Sequence, residues 1–287
     1  MTIQPTHGDV FAEERQQHIA RIVEEHGRAR VAELSRLFGV SGVTIRKDLA
    51  LLELQGRLVR THGGAVVADR IGAERAFDIR ERLQRPEKDA IGRAAAAMVV
   101  DGESIALDAS TTALAMARHL TARGGWLQLT VITNGLRIAA ELAGHPGITV
   151  AMPAGFVRWE ALSLVGPLSE GLLDKVNIHR AFMGAAAFAL EAGLTDATEE
   201  EAQIKRLFVT TATEVVGLVD HTKWERAAFA TFCPTESLAV VVADAAAPQA
   251  MVETLRGRGI EVHLVDGAAT SGGGIDRSTP APLSRPW

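Results

Sequence analysis

Hydroxyls, one carboxylate and unpaired backbone N–H groups meet in the run Ser104-Ile105-Ala106-Leu107-Asp108-Ala109-Ser110-Thr111-Thr112-Ala113. An apolar, strand-like pattern gives way there to small polar residues and then to a helical pattern. The first N–H groups of a helix have no partner within it, and the helix dipole is positive at that end. Such a junction attracts anions, phosphate above all. Ser110, Thr111 and Thr112 add hydroxyl donors, whereas Asp108 is suited to accept hydrogen bonds from sugar hydroxyls. Simple helix capping by Ser110 or Thr111 is the plainer reading of the same residues. Thr133-Asn134 and Asp220-His221-Thr222-Lys223 bring polar groups to two further strand ends. Lys223, or Lys205 in the helical run 199–211, is placed to supply positive charge for an anion. Open α/β sheets bind ligands beyond the carboxyl ends of their strands, where all these loops fall.

A second chemistry lies earlier in the chain. Val31–Phe38 reads as a short helix, Gly39 as a tight turn, and Gly42–Leu54 as a second helix that Ser41 is placed to cap. Ile45, Leu49 and Leu52 share one face of it. The opposite face carries Gly42, Val43, Arg46 and Lys47 near the helix start, where a recognition helix meets base edges in the major groove. Arg46 has the fork geometry for guanine, while Lys47 suits phosphate. Between residues 28 and 64 there are seven Lys/Arg and three acids, a local excess of four positive charges in a chain of net charge −5. That excess is a phosphate-neutralising footprint.

The elements that must position these groups follow from the periodicity. A helix begins near Glu13, with Ile19, Ile22 and Val23 at helical spacing and Gly27 as its stop. Gly56 ends the reading helix, and Leu58–Val67, folded about Gly63-Gly64, reads as a hairpin. Residues 69–88 hold six Lys/Arg and five Asp/Glu and read as a charged linker, partly helical. Beyond Lys88, strand candidates alternate with helical patterns: Ser104–Leu107, Thr130–Thr133, Thr149–Met152, Ala181–Met183, Val215–Val219, Leu238–Val242 and Val262–Val265. Near-continuous apolar strands separated by helices predict a Rossmann-like parallel sheet in an α/β domain. The expected organisation is a flexible tail at 1–12, a winged helix-turn-helix at 13–68, the linker at 69–88, a ligand-binding domain at 89–266 and a disordered tail at 267–287.

Composition narrows the function classes. A single cysteine, Cys233, excludes an intrachain disulfide framework and a cysteine-rich zinc site and fits a cytoplasmic setting. The N-terminus lacks signal-peptide character, and no apolar run is long enough to span a membrane. No strand is followed by a G-x-G-x-x-G loop, and no histidine pair has zinc-protease spacing, so no cofactor, metal or catalytic residue is expected.

Val40-Ser41-Gly42-Val43-Thr44-Ile45-Arg46-Lys47-Asp48-Leu49, followed by Arg60-Thr61-His62-Gly63-Gly64-Ala65, resembles the N-terminal signature of DeoR-family (DeoR/GlpR-type) regulators. Arg15, Ile19, Ile22 and Val31-Ala32-Glu33-Leu34 fit the same pattern. Asp108–Thr112, Thr133-Asn134, Glu201…Lys205 and Asp220…Lys223 resemble the family's effector domain. The resemblance spans about residues 13 to 266 and implies a fold similar to ribose-5-phosphate isomerase. It also implies a double-stranded DNA operator, a phosphorylated sugar effector and a homo-oligomer, dimer or tetramer. The expected DNA-binding residues are Arg30, Ser41, Gly42, Val43, Thr44, Arg46, Lys47, Arg60 and His62. For His62, packing of the hairpin turn is the alternative. The expected effector residues are Asp108, Ser110, Thr111, Thr112, Thr133, Asn134, Lys205, Asp220 and Lys223. Ser110 stands where the family usually has Gly, Ala154 where it tends to have Gly, and His179-Arg180 where an Asp commonly precedes Ala-Phe. These departures bear on which sugar fits. The resulting reading is a transcriptional repressor of carbohydrate-metabolism genes. A sugar-phosphate isomerase using Asp108, Glu201, Asp220 and Lys223 is the alternative, but an isomerase has no use for a basic helix-turn-helix.

Overall fold

The computed structural model describes residues 12–26, 28–54, 57–61, 63–67 and 77–267. Of the tails expected at 1–12 and 267–287, residues 1–11 and 268–287 lie outside the described residues, as do the stops at Gly27 and Gly56, the linker segment 69–76 and His62.

The N-terminal unit runs α1 (Ala12–His26), β1 (Arg28–Arg30), α2 (Val31–Phe38), α3 (Gly42–Leu54), β2 (Leu58–Thr61) and β3 (Gly64–Val67). Ile19 and Val23 of α1, Leu34 of α2, Ile45, Leu49 and Leu52 of α3, and Leu58 and Ala65 of the wing share one small core. Each fully buried Ile or Leu there contributes about 1.5–3 kcal/mol. The turn between α2 and α3 rests on Gly39, whose φ of 64° is left-handed and suits glycine. The hairpin β2–β3 forms as its Gly-rich centre predicts. β1 was not anticipated: three residues are too few for a period-2 signal, yet they pair antiparallel with β3 and widen the wing to three strands.

The second unit runs α4 (Phe77–Arg82), α5 (Arg85–Met98), β4 (Ser104–Leu107), α6 (Thr111–Arg123), β5 (Leu129–Thr133), α7 (Leu136–Leu142), β6 (Ile148–Ala151), β7 (Phe156–Arg158), β8 (Ser163–Val165), α8 (Glu170–Leu173), β9 (Ile178–Gly184), β10 (Ala187–Ala189), β11 (Gly193–Asp196), α9 (Glu199–Thr211), β12 (Ala212–Val219), β13 (Ala230–Cys233), β14 (Val240–Asp244), α10 (Gln249–Gly257) and β15 (Glu261–Val265). Seven strands form one sheet in the order β15-β14-β12-β9-β4-β5-β6, and every neighbouring pair is parallel. These are the seven strands read from the sequence. One core packs α5, α6 and α7 on the sheet through Ile91, Leu114, Leu120 and Ile138. The other packs α9 and α10 through Ile204, Phe208, Val252 and Leu255. The sheet is therefore doubly wound. From β4 the chain builds outward to β5 and β6 on one side and, after a crossing, to β9 and beyond on the other. The gap between the ends of β4 and β9 is the topological switch point, where such sheets open a ligand crevice.

Two small antiparallel assemblies were not foreseen: the hairpin β7–β8 and the sheet β10-β11-β13. Their strands have three or four residues, too short to separate from loops by pattern.

The linker expected over 69–88 is corrected for residues 77–88. α4 and the start of α5 are part of the α/β domain. Phe77 is buried in the same core as Ile91 and Leu114, and its N–H donates to the Glu160 carbonyl at 2.9 Å. The charges that suggested a solvated linker are partly spent in pairing: Glu81 meets Arg118 of α6 at 2.6 Å and Arg137 of α7 at 3.6 Å.

Candidate functional site

Ser41 caps α3, its Oγ accepting the Thr44 N–H at 3.2 Å, and the Thr44 hydroxyl lies 3.0 Å from the same oxygen. With Ile45, Leu49 and Leu52 turned into the core, Val43, Arg46 and Lys47 project together from the exposed face. Val43 is 61% exposed. Asp48 does not dilute the positive face. It is buried and accepts from Arg15 at 2.7 and 3.3 Å and from Gln16 at 3.0 Å. Arg30 is exposed beside the start of α2, its N–H donating to Glu33 at 3.2 Å. Gly42 opens α3 against Val31. Arg60 is tied back to α3: its N–H donates to Glu53 at 2.9 Å, and its guanidinium lies 3.9 Å from the same carboxylate. The pairing fixes the wing against the reading helix.

At the switch point, Asp108 directly follows β4 and is fully buried. Its Oδ1 accepts the Gly184 N–H at 3.1 Å, joining the ends of β4 and β9. Its Oδ2 lies 2.6 Å from Lys205 Nζ. Lys205, buried on α9, also meets Asp196 Oδ2 at 2.6 Å and donates to the Gly184 carbonyl at 2.9 Å. Burial opposes the charge on Lys205, but Asp108 and then Asp196 outweigh it and hold its pKa above the usual lysine value. Two carboxylates against one ammonium leave no positive charge to spare, which corrects the expectation that Lys205 offsets an anion. Gly184 has to be glycine: a Cβ there would fall 2.4 Å from Ser110 Oγ. Ser110 takes the capping role, accepting the Ala113 N–H at 3.0 Å at the start of α6. Thr111 and Thr112 follow, both buried.

Thr133 serves its loop, its Oγ1 accepting the Gly135 N–H at 3.0 Å. Asn134 is fully buried and donates through Nδ2 to the Leu164 carbonyl at 3.2 Å, yet among the described residues its Oδ1 has no donor. The neighbouring Ser163 donates to Glu201, one turn before Lys205 on α9, and Arg158 reaches the same carboxylate at 3.3 Å. Hydrogen bonds and ion pairs thus connect Asp108, Lys205 and Asp196 around α9 to the hairpin that holds Asn134.

Asp220 and Lys223 form a separate cluster at the end of β12, two strands from β4. Asp220 accepts from the Thr222 N–H at 3.0 Å and hydroxyl at 2.5 Å. Burial would raise its pKa, but Lys223 and Lys88 hold it below the ordinary value. Lys88, on α5, is itself buried, and its pKa is pushed down to about 7, by burial first and then by the like charges of Lys223 and Arg80, against the pull of Asp220.

Asp196 was missed although its place, a strand end just before the Thr198-capped α9, repeats the pattern that singled out Asp108. Lys88 was hidden by the linker reading. Arg158 and Ser163 carry no signal in the sequence. The departure at His179-Arg180 falls at the other end of β9: Arg180 pairs there with Glu103 and Glu214, and His179 meets Ser104. Five residues of strand put His179 about 16 Å from Gly184. It lies at the opposite end of β9 from Asp108 and Gly184.

The DeoR-like helix-turn-helix domain model matches residues 15–70, and the DeoR C terminal sensor domain model matches residues 83–245. The chain belongs to the DeoR family of transcriptional regulators. The HTH-type transcriptional regulator GolR of Listeria innocua is 35% identical over 259 residues, covering 90% of this chain and 100% of GolR. The HTH-type transcriptional repressor GlcR of Bacillus subtilis is 31% identical, over 90% of this chain and 98% of its own length. GlpR of Haloferax volcanii, also named an HTH-type transcriptional regulator, is 33% identical over 89% of this chain and 98% of its own. A ribose 5-phosphate isomerase from Methanocaldococcus jannaschii matches 48% of this chain and 53% of its own with 20% identity and a TM-score of 0.35, too distant a likeness to argue from. This DeoR-family chain is a DNA-binding transcriptional regulator. Among the described residues, no helix is long and apolar enough to cross a membrane.

Proposed function

We propose that this DeoR-family regulator represses carbohydrate-metabolism genes and releases its operator when a phosphorylated sugar binds at the crevice between β4 and β9. The observation that carries the ligand reading is Asn134: a fully buried amide whose Oδ1, among the described residues, accepts from no donor. A buried acceptor left unpaired costs about 1–3 kcal/mol, and a sugar hydroxyl is the donor that removes the cost. The start of α6, with Thr111 and Thr112, would take the phosphate. Asp108 is held by Gly184 and Lys205 and keeps lone pairs for sugar hydroxyls. Lys223, in the neighbouring cluster at the end of β12, would turn part of its charge toward the phosphate, with Asp220 orienting its turn. Lys205 acts on the ligand only through Asp108. The exposed Val43-Arg46-Lys47 face of α3 would enter the major groove, with Arg30 and Arg60 flanking it near the backbone. Two copies of the chain on paired half-sites would complete the operator complex.

The test pairs two measurements on the purified chain. Thermal-shift screening against phosphorylated sugars should find one that stabilises it. That same compound should weaken operator binding in a mobility-shift titration, while its unphosphorylated form does neither. A chain that binds operator but gains no stability from any phosphorylated sugar would end the ligand reading.

A further inference from the structure

Lys88 stands between the ligand edge of the sheet and the strap that enters the domain from the DNA-reading side. Its Nζ donates to the carbonyls of Arg80 and Leu83, at 2.5 and 2.7 Å. These are the last turn of α4 and the residue after it. The Asp220 carboxylate and the Lys223 ammonium at the end of β12 lie close enough to act on the charge of Lys88, as do Arg80 of α4 and Glu87 of α5. The last carbonyls of any helix lack intrahelical donors, and α4, six residues long, has few internal hydrogen bonds to hold it. The α4–α5 corner is also strained: Gln84 has a φ of 46°, a left-handed conformation a residue with Cβ adopts only when held. Lys88 supplies that hold from one turn further along α5.

We propose that Lys88 is the positioning residue through which ligand occupancy at the Asp220–Lys223 edge changes the hold on α4, the element nearest in sequence to the DNA-reading unit. This inference rests on the reading of that edge as a site for an anionic ligand. An anion brought beside Lys223 competes with the α4 carbonyls for the Lys88 ammonium. Buried at low dielectric, that ammonium cannot serve both sets of acceptors at full strength. The α4 carbonyls then lose their donor and the corner relaxes. The pKa of about 7 shows how finely the positive charge at this position is balanced. An added anion favours the protonated form, so ligand binding takes up protons near neutral pH.

The experiment is hydrogen exchange of the full-length chain, with inorganic phosphate as the probe and chloride at matched ionic strength as the control. In the ligand-free chain, Lys88→Met should speed exchange of the amides at 80–84 at least tenfold and leave the amides of β4, β9 and β12 unchanged, and Lys88→Arg should restore most of the protection. In the wild type, phosphate should speed the same α4 amides while raising the melting temperature; in Lys88→Met it should raise the melting temperature with no further change in α4. Unchanged α4 exchange in ligand-free Lys88→Met overturns the proposal whatever the ligand does. Phosphate that stabilises the wild type without affecting α4 overturns it too, leaving the ligand reading intact. If Lys88→Met fails to fold, the Lys88→Arg and wild-type arms decide. Phosphate with no effect on wild-type melting removes the anion reading and the proposal together.

Discussion

Lys205 Nζ lies 2.6 Å from Asp108 Oδ2, an ion pair closed across the end of the sheet at its switch point, with Asp196 at 2.6 Å as the third member. Removing the lysine leaves Asp108 fully buried and uncompensated. Lys205→Met should therefore cost roughly 3–5 kcal/mol of stability, read as a lower urea midpoint. Adding Asp108→Asn to Lys205→Met should recover part of the loss, because the stranded charge goes with it. A Lys205→Met chain as stable as wild type would be at odds with this arrangement.

Arg46 and Lys47 should separate by their DNA effects. Arg46→Ala is expected to weaken the specific operator by about 1–3 kcal/mol and relax preference at one base pair. Lys47→Ala should weaken all duplexes alike and reduce the salt slope by about one. Fluorescence anisotropy across a salt series, with operator and scrambled duplexes, distinguishes the two.

Lys223→Ala should keep operator binding and lose ligand response. One charge-assisted hydrogen bond is worth roughly 1.5–3 kcal/mol, so ligand affinity should fall tenfold or more. In cells the variant should repress even with inducer present. Operator release at the wild-type ligand concentration would move the anion subsite elsewhere.

Lys88 gives the chain a pH signature. Its folded pKa of about 7 lies below the unfolded value of about 10.4. Below about pH 7 both states hold the proton and the burial penalty is fully present. Between the two values the unfolded chain binds more protons, so stability rises with pH. Lys88→Gln removes this titration. The stability of wild type relative to Lys88→Gln should therefore improve from about pH 6.5 to about pH 9, by on the order of 1 kcal/mol per unit.

The α/β domain should start at Phe77. A fragment of residues 77–267 is expected to unfold cooperatively. One beginning at Asp89 loses the buried Phe77 side chain, its hydrogen bond to Glu160 and both Lys88 contacts, and it should melt several degrees lower. Calorimetry of the two fragments compares them directly.

Periodicity and local chemistry are properties of neighbours in the chain, and the sequence determined what they control. Ile45, Leu49 and Leu52 set the buried face of α3 and thereby exposed Val43, Arg46 and Lys47. Apolar runs set all seven parallel strands, and the Ser-Thr-Thr run after Asp108 marked the start of α6. What joins residues distant in the chain was decided only by the tertiary structure. Lys205 looked like a free cation until α9 brought it against Asp108 and Asp196 from two other strand ends, which turned a ligand charge into a buried structural one. Residues 77–88 looked like a solvated linker because their charges are dense. Only the packing of Phe77, and the partners that α6 and α7 provide for Glu81, make them part of the domain. Asn134 could be placed at a strand end from its neighbours alone, but that its Oδ1 is buried with no donor among the described residues depends on the hairpin folding over it. Burial and pairing depend on which side chains the fold brings within a few ångströms, and no local pattern encodes those distances.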